Sequence, residues 1–222
     1  MTAALDEKRA IQETAPNVFF RETMSGGLSL GTTDPRQGAA QGRRTPFTFH
    51  ATILVDDVDA FLDHPEHTAR LLARAAYSPF GQELYVERGR FNLFRPGDAP
   101  RTRLMTYGLP FVSGGRAYYL SGTKTVHDHA GWDMWRDTTR LACQLHEGED
   151  ERGPVVGAGV LSLGLRDVLA LIASMGSCLP EPEGLQARLR FGEFFLGSLW
   201  QLYAPRLLSL PNAGHPLIPS PW

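Results

Sequence analysis

The sequence lacks the common short motifs of catalysis and cofactor binding. It contains no GxGxxG fingerprint for a dinucleotide, no P-loop lysine motif and no HExxH zinc motif. Val160-Leu-Ser-Leu-Gly164 resembles a nucleophile elbow, but the first glycine of that motif is absent. His64 and His67 have helical metal-ligand spacing, yet Pro65 interrupts them and no third ligand is evident, so they are interpreted as surface histidines. No cofactor and no metal are therefore expected.

Cysteine, net charge and long apolar runs are also scarce. Cys143 and Cys178 are the only cysteines and lie far apart, which indicates reduced thiols in a cytoplasmic protein. A net charge of −2 provides no basic field for nucleic acid, and the arginines between positions 88 and 103 are interpreted as outward charges on hairpin strands. No apolar run reaches the ~20 residues of a transmembrane segment. Residues 1–14 also lack the apolar core of a signal peptide.

Alternation of apolar and polar residues is the main structural signal that the sequence does contain. With 222 residues, of which 42% are hydrophobic, the chain can build one large domain. Alternation predicts about six strands with few helices between them, and therefore a mainly β (α+β) fold: an antiparallel β-barrel or sandwich with C-terminal helices. The predicted strands are Phe47–Val55, Leu84–Phe94, Arg103–Val112, Ala117–Val126, Thr138–Glu147 and Val155–Leu163.

The segments that flank this region predict the domain boundaries. Residues 1–46 read as an N-terminal arm and Gly-rich linker, residues 47–208 as a single barrel-like domain, and residues 209–222 as an extended Pro-rich tail. Helices are predicted at Val58–Ala75 (interrupted by Pro65), Leu165–Met175 and Leu185–Tyr203. The last helix has an apolar stripe that includes Leu185 and Leu189, and further apolar residues beyond it, so it is expected to be largely buried. It could plug the barrel or form a dimer interface.

A cluster of polar residues in the connection after the fourth predicted strand is the main candidate for chemistry. Among the catalytic candidates, Asp137 or His127 would be the base, and Lys124 or Tyr107 would polarise an oxygen. Asp128 and Asp133 belong to the same cluster, although the sequence does not show whether the aspartates converge. The alternative is a polar hairpin loop that Trp132 or Trp135 anchors to the core.

Aromatic residues on neighbouring predicted strands are the second candidate feature. In a barrel, one set would point inward and could line an apolar cavity, which predicts a ligand site formed by Phe91, Tyr107, Phe111, Tyr119 and Trp135. Tyr118 lies in the same region. An ordinary packed core is the alternative.

Short motifs along most of the chain resemble one known kind of domain. They are Phe20, Glu22, Thr23, Met24 and Gly26; Gly89, Phe91, Asn92, Leu93 and Phe94; Met105, Tyr107, Leu109 and Phe111; Gly122, Lys124, Val126, Asp128, Gly131, Asp133, Trp135, Asp137, Thr138 and Thr139; and Arg190, Phe191, Gly192, Phe194, Phe195, Gly197, Leu199, Trp200 and Tyr203. The chain resembles the accessory domain that accompanies some glucose-methanol-choline (cholesterol-oxidase-like) oxidoreductases. That resemblance implies a role near steroid-like or other lipid substrates. It does not imply flavin binding, because the dinucleotide fingerprint is absent.

Three functions remain open at this point. The first is a module that binds an apolar, steroid- or lipid-like small molecule and is associated with oxidoreductase metabolism. The second is an isomerase, cyclase or lyase that needs no cofactor and acts on an apolar substrate. The third is a structural or assembly protein, whose last helix would contact an oxidoreductase or a second copy of the chain.

Overall fold

The protein folds as a closed antiparallel β-barrel of eight strands. A computed structural model describes residues 15–98, 102–127, 139–163, 171 and 173–207. The strands are β1 (Val18–Leu30), β2 (Pro46–Val55), β3 (Thr68–Tyr77), β4 (Gly81–Pro96), β5 (Thr102–Ser113), β6 (Arg116–His127), β7 (Arg140–Glu147) and β8 (Val155–Ser162). Each strand pairs with its neighbours in sequence, and β1 pairs with β8 to close the barrel. The predicted antiparallel β architecture is confirmed as a barrel rather than a sandwich.

The number of strands is eight rather than about six, because the sequence did not predict β1 and β3. The sequence predicts a helix over Val58–Ala75, which includes most of β3, because the alanines, leucines and arginines of this segment favour helices. In the structure the helix in this segment spans Val58–Asp63, and the strand that follows it, β3, pairs with β2 and β4. Tertiary pairing overrides local propensity in this segment.

The segment predicted as an N-terminal linker contributes directly to the barrel. It contains β1, helix α1 (Pro35–Gln41) and a 3-10 turn at Gly42–Arg44. Gly26 and Gly38 made this segment read as a loop, but both are sites of close backbone approach. A Cβ atom on Gly26 would lie 2.1 Å from the Val160 carbonyl oxygen, and one on Gly38 would lie 1.9 Å from that of Ala158. These glycines allow β1 and α1 to pack tightly against β8.

Two helices pack at one end of the barrel, which we call the helical end. They are α2 (Val58–Asp63) and α3 (Glu183–Leu207). Phe191 of α3 lies with its ring centroid 5.5 Å from that of Phe20 and 5.8 Å from that of Phe61. The buried face of α3 includes Ala187 and Phe191, whereas Leu189 of the predicted stripe is 62% exposed. Among the described side chains of α3, Phe191 covers the barrel, whereas Leu185 and Leu189 are exposed.

Aromatic side chains close the opposite end, which we call the hairpin end. Phe80 stacks on Tyr118 with ring centroids 4.4 Å apart and also contacts Tyr77 and Phe111. The β5–β6 hairpin turns here at Gly114 and Gly115, whose φ values of 56° and 76° suit glycine in a tight two-residue turn. The barrel interior is therefore covered by side chains at both ends.

Several sequence predictions fall on residues that the structure does not describe. The helix predicted at Leu165–Met175 and the tail at 209–222 lie wholly or mostly outside the described residues. Within the described residues, no helix is both long enough and apolar enough to cross a membrane.

Candidate functional site

Three strands place a carboxyl, a phenol and an amine inside the barrel. On β1, Val18, Phe20, Glu22 and Met24 alternate into the interior and are each at most 4% exposed. Tyr107 on β5 pairs with Gly122 on β6, and Lys124 lies two residues further along β6 on the same face. Glu22, Tyr107 and Lys124 therefore meet in the interior, and we call them the interior polar cluster.

The cluster is joined by two hydrogen bonds. Lys124 Nζ donates to Tyr107 Oη at 3.0 Å, and Tyr107 Oη donates to Glu22 Oε2 at 3.3 Å. Lys124 Nζ also lies 5.0 Å from the centroid of the Tyr107 ring, within the range of a cation–π contact. Tyr107 thus links the amine to the carboxyl.

One oxygen of the cluster has no partner. Glu22 Oε1 is buried and accepts no hydrogen bond from the described residues. Other buried polar side chains differ in this respect: Asn92 donates to the Glu66 carbonyl and to Thr68, and His146 bonds with Ser121 and with the Gly153 carbonyl. Because a buried unsatisfied polar atom costs about 1–3 kcal/mol, Glu22 Oε1 marks a position where a further polar group would be stabilising.

Burial dominates the electrostatics of the cluster. It raises the pKa of the Glu22 carboxyl and lowers the pKa of the Lys124 amine, while the attraction between the two charges opposes both shifts. Burial and the adjacent Glu22 also raise the pKa of Tyr107 well above its ordinary value. The cluster therefore holds a phenol that keeps its proton, a carboxyl that burial shifts toward its protonated form and an amine that burial shifts toward its neutral form.

Apolar side chains surround the cluster. The ring of Tyr107 lies 4.9 Å from that of Phe91 and 6.1 Å from that of Phe49. Phe91 contacts Phe20, which contacts Phe191 of α3, so that aromatic rings connect the cluster to the helical end. Cys143 is fully buried nearby, and burial raises the pKa of its thiol to about 12, which makes it unreactive at neutral pH.

The structure brings together some of the residues predicted for the ligand site and separates others. Phe91, Tyr107 and Lys124 lie in or beside the interior polar cluster. Phe111 also faces the interior but belongs to the aromatic contacts of the hairpin end. Tyr119 lies on the outer face of β6, where its hydroxyl covers Gly108.

The other catalytic candidates cannot be placed at the site. Asp128, Asp133, Trp135 and Asp137 lie outside the described residues. His127 is the last residue of β6 and pairs with Thr102 at the helical end. Their roles stay predictions.

Glu22 was not predicted as a site residue. It lies between Arg21 and Thr23, and this polar stretch concealed the strand. The signal that reveals it is the alternation of Val18, Phe20, Glu22 and Met24, which places a carboxylate on an otherwise apolar face. Ionisable residues on the buried face of a strand are uncommon and indicate a function or a specific partner.

A concave region lies on the outside of the barrel. A groove of about 1080 Å³ runs over the outer faces of β4, β5 and β6, and its lining includes Tyr85, Arg90, Tyr119 and Glu151. Because charges of both signs line it, it does not have the apolar character predicted for the ligand site.

The described residues also contain no group of three or more His, Cys, Asp or Glu side chains that could hold a metal, and His67 packs on Phe194 instead.

Comparison with known proteins gives no assignment. The chain matches no protein-family profile, no curated protein and no solved structure.

Proposed function

We propose that this protein binds an apolar, steroid- or lipid-like molecule that carries an oxygen function, within the helical half of the barrel. The observation that supports this most directly is the unpaired Glu22 Oε1 next to the Tyr107–Lys124 donor pair. Binding sites for small molecules are commonly apolar, with a few polar groups that fix orientation. The resemblance to an oxidoreductase accessory domain suggests that the bound molecule belongs to oxidoreductase metabolism.

The groups around the cluster favour a ligand whose oxygen points toward Glu22 and whose apolar body lies against aromatic rings. A hydroxyl would donate to Glu22 Oε1, while the rings of Phe20 and Phe91 would contact the apolar body of the ligand. Entry would require α3 to move, because Phe191 of that helix covers Phe20. The ligand would then replace Phe191 as the apolar neighbour of Phe20.

Native mass spectrometry of protein purified from its own host is the first test. We expect a mass above that of the denatured chain, and we expect the released compound to be an apolar alcohol or ketone. Protein that carries nothing and also fails to bind 1-decanol or cholesterol in titration would contradict the proposal.

Variants of two tyrosines then locate the site. Tyr107→Phe should weaken 1-decanol binding about tenfold, because it removes a hydrogen-bonding group from the buried cluster. Tyr119→Phe removes a hydroxyl from the outer face of the barrel and should leave binding unchanged. Equal effects of the two variants would place the ligand elsewhere.

The second candidate function is an enzyme that uses the same site. Glu22, with its raised pKa and free oxygen, has the properties of a general base, and the Tyr107–Lys124 pair could polarise a carbonyl oxygen. Exchange of α-hydrogen for deuterium in a bound ketone, lost in Glu22→Gln, would favour this isomerase-like function. Binding without exchange would favour the binding module.

A further inference from the structure

Lysine is rare in this chain, which makes its position in the barrel informative. The chain contains 22 lysines and arginines, and only Lys8 and Lys124 among them are lysines. Lys124 is 2% exposed, whereas the arginines that form ion pairs lie on the surface, as Arg70 and Arg116 do. An arginine is always charged and is not nucleophilic, but a buried lysine can lose its proton and act as an amine.

We propose that Lys124 forms an imine with an apolar aldehyde or ketone bound in the barrel. This proposal rests on the proposed function and narrows its ligand class to carbonyl compounds. The geometry that supports it is a buried amine 3.0 Å from a phenol that is itself bonded to a carboxyl. All three groups are enclosed by apolar side chains, a setting in which lysines become nucleophiles.

The chemical step balances without any further reactant. The lone pair of Lys124 Nζ forms a bond to the carbonyl carbon, the carbonyl π electrons move to the oxygen, and one proton passes from the nitrogen to that oxygen to give a neutral carbinolamine. Glu22 gives its proton to the hydroxyl as the carbon–oxygen bond breaks, so that water leaves and the nitrogen lone pair forms the carbon–nitrogen double bond of a protonated imine. Return of the remaining nitrogen proton to the Glu22 carboxylate gives the neutral imine and restores the acid. One amine and one carbonyl compound thus give one imine and one water.

Each residue of the cluster has a role in this step. Burial lowers the pKa of Lys124 and so increases the fraction of neutral amine. Tyr107 lies between the amine and Glu22 and can relay a proton by accepting one from the amine as it donates its own to Glu22, so that it remains a neutral phenol. Glu22, whose pKa is raised, can protonate the departing oxygen and then carry the charge that balances a protonated imine.

Reductive trapping tests the proposal on the full-length protein. Incubation with decanal and cyanoborohydride at pH 7 should convert the imine to a secondary amine, which adds the mass of decanal less one oxygen atom. Peptide mapping should place this adduct on Lys124 in preference to Lys8 and the N-terminal amine, which serve as internal controls for non-specific reaction. This measurement needs no variant.

Variants separate the roles within the cluster. Lys124→Met should abolish the adduct at this position, and Glu22→Gln should slow trapping by about 100-fold because general acid–base help is lost. Tyr119→Phe, on the outer face, should trap at the rate of the unaltered protein. Circular dichroism of each variant establishes that it is folded.

Binding of 1-decanol distinguishes failure of this inference from failure of the proposed function. If 1-decanol binds but decanal is trapped only at Lys8 or the N-terminus, the imine is overturned and the binding function stands. If neither compound binds, both proposals fall. If Glu22→Gln traps decanal at Lys124 as fast as the unaltered protein does, the role assigned to Glu22 is overturned.

Discussion

Glu22 and Lys124 lie on either side of Tyr107, and each is costly to bury without the other. Glu22 and Lys124 are joined through Tyr107. Leaving one of two opposite buried charges without the other typically destabilises a protein by about 3–5 kcal/mol, whereas replacing both is often neutral. The pH dependence follows from the raised pKa of Glu22, since the folded protein binds this proton more tightly than the unfolded chain does. The stabilisation that protonated Glu22 provides is complete below 4.5, the pKa of this carboxyl in the unfolded chain. It is lost as the pH rises through the higher pKa that the carboxyl has in the folded protein.

Lys124→Met should therefore destabilise the protein by about 3 kcal/mol at pH 7, and by less at pH 5. Without the amine, the pKa of Glu22 rises further, and at pH 5 more of the carboxyl is protonated. Urea unfolding at the two pH values measures the difference. The double variant Glu22→Gln, Lys124→Met should recover most of the loss, and an equal loss at both pH values would show that Glu22 is not the cause.

At the scale of single elements, α3 is attached to the barrel by aromatic rings. Phe191 is 1% exposed and contacts Phe20 and Phe61, whereas Leu189, two residues earlier, is largely exposed. Phe191→Ala should cost about 3–5 kcal/mol because it leaves a cavity over the helical end. Leu189→Ala is the matched control and should change the free energy of unfolding by less than about 0.5 kcal/mol. Thermal or urea unfolding of both variants checks the contrast.

Helix α1 requires glycine at position 38, whereas α3 does not require it at position 192. In a helix, Gly→Ala is stabilising by up to about 1 kcal/mol where the new methyl group meets no obstacle. Gly192→Ala in α3 should show this gain, because a Cβ atom there would meet no described atom within 4 Å apart from the helix itself. Gly38→Ala should instead destabilise, because its Cβ would collide with the Ala158 carbonyl oxygen of β8. Denaturation midpoints of the two variants that shift in the same direction would contradict the close packing of α1.

The sequence predicts these elements unequally, for physical reasons. The strands from β4 to β8 were predicted because alternation is clear there and Gly114-Gly115 marks a turn. β3 was missed because Leu72, Ala73 and Ala75 are good helix formers, and their strand conformation depends on pairing with β2 and β4. Within the site, Tyr107 and Lys124 were predicted but Glu22 was not, because its neighbours on the chain are polar and its partners lie on distant strands.

At the scale of the whole molecule, pairing between sequence neighbours determines how the site is assembled. Because the eight described strands form a closed barrel, none of them has a free edge for association with other chains. The interior polar cluster takes Glu22 from β1, Tyr107 from β5 and Lys124 from β6. The cluster is therefore complete only when β1–β8 closure and β5–β6 pairing have both formed.

The Gly114-Gly115 hairpin has a practical consequence, because a cut there would divide the cluster between two polypeptides. One fragment would carry Glu22 and Tyr107, and the other would carry Lys124. Two strand seams, β5–β6 and β8–β1, would have to reform for the pieces to recombine, together with the packing of α1 on β8 and of Phe191 on Phe20. Co-expressed fragments should therefore complement each other, and decanal should label Lys124 in the recombined pair but not in the isolated C-terminal piece. Labelling of Lys124 would then report that the two fragments had reassembled into a closed barrel.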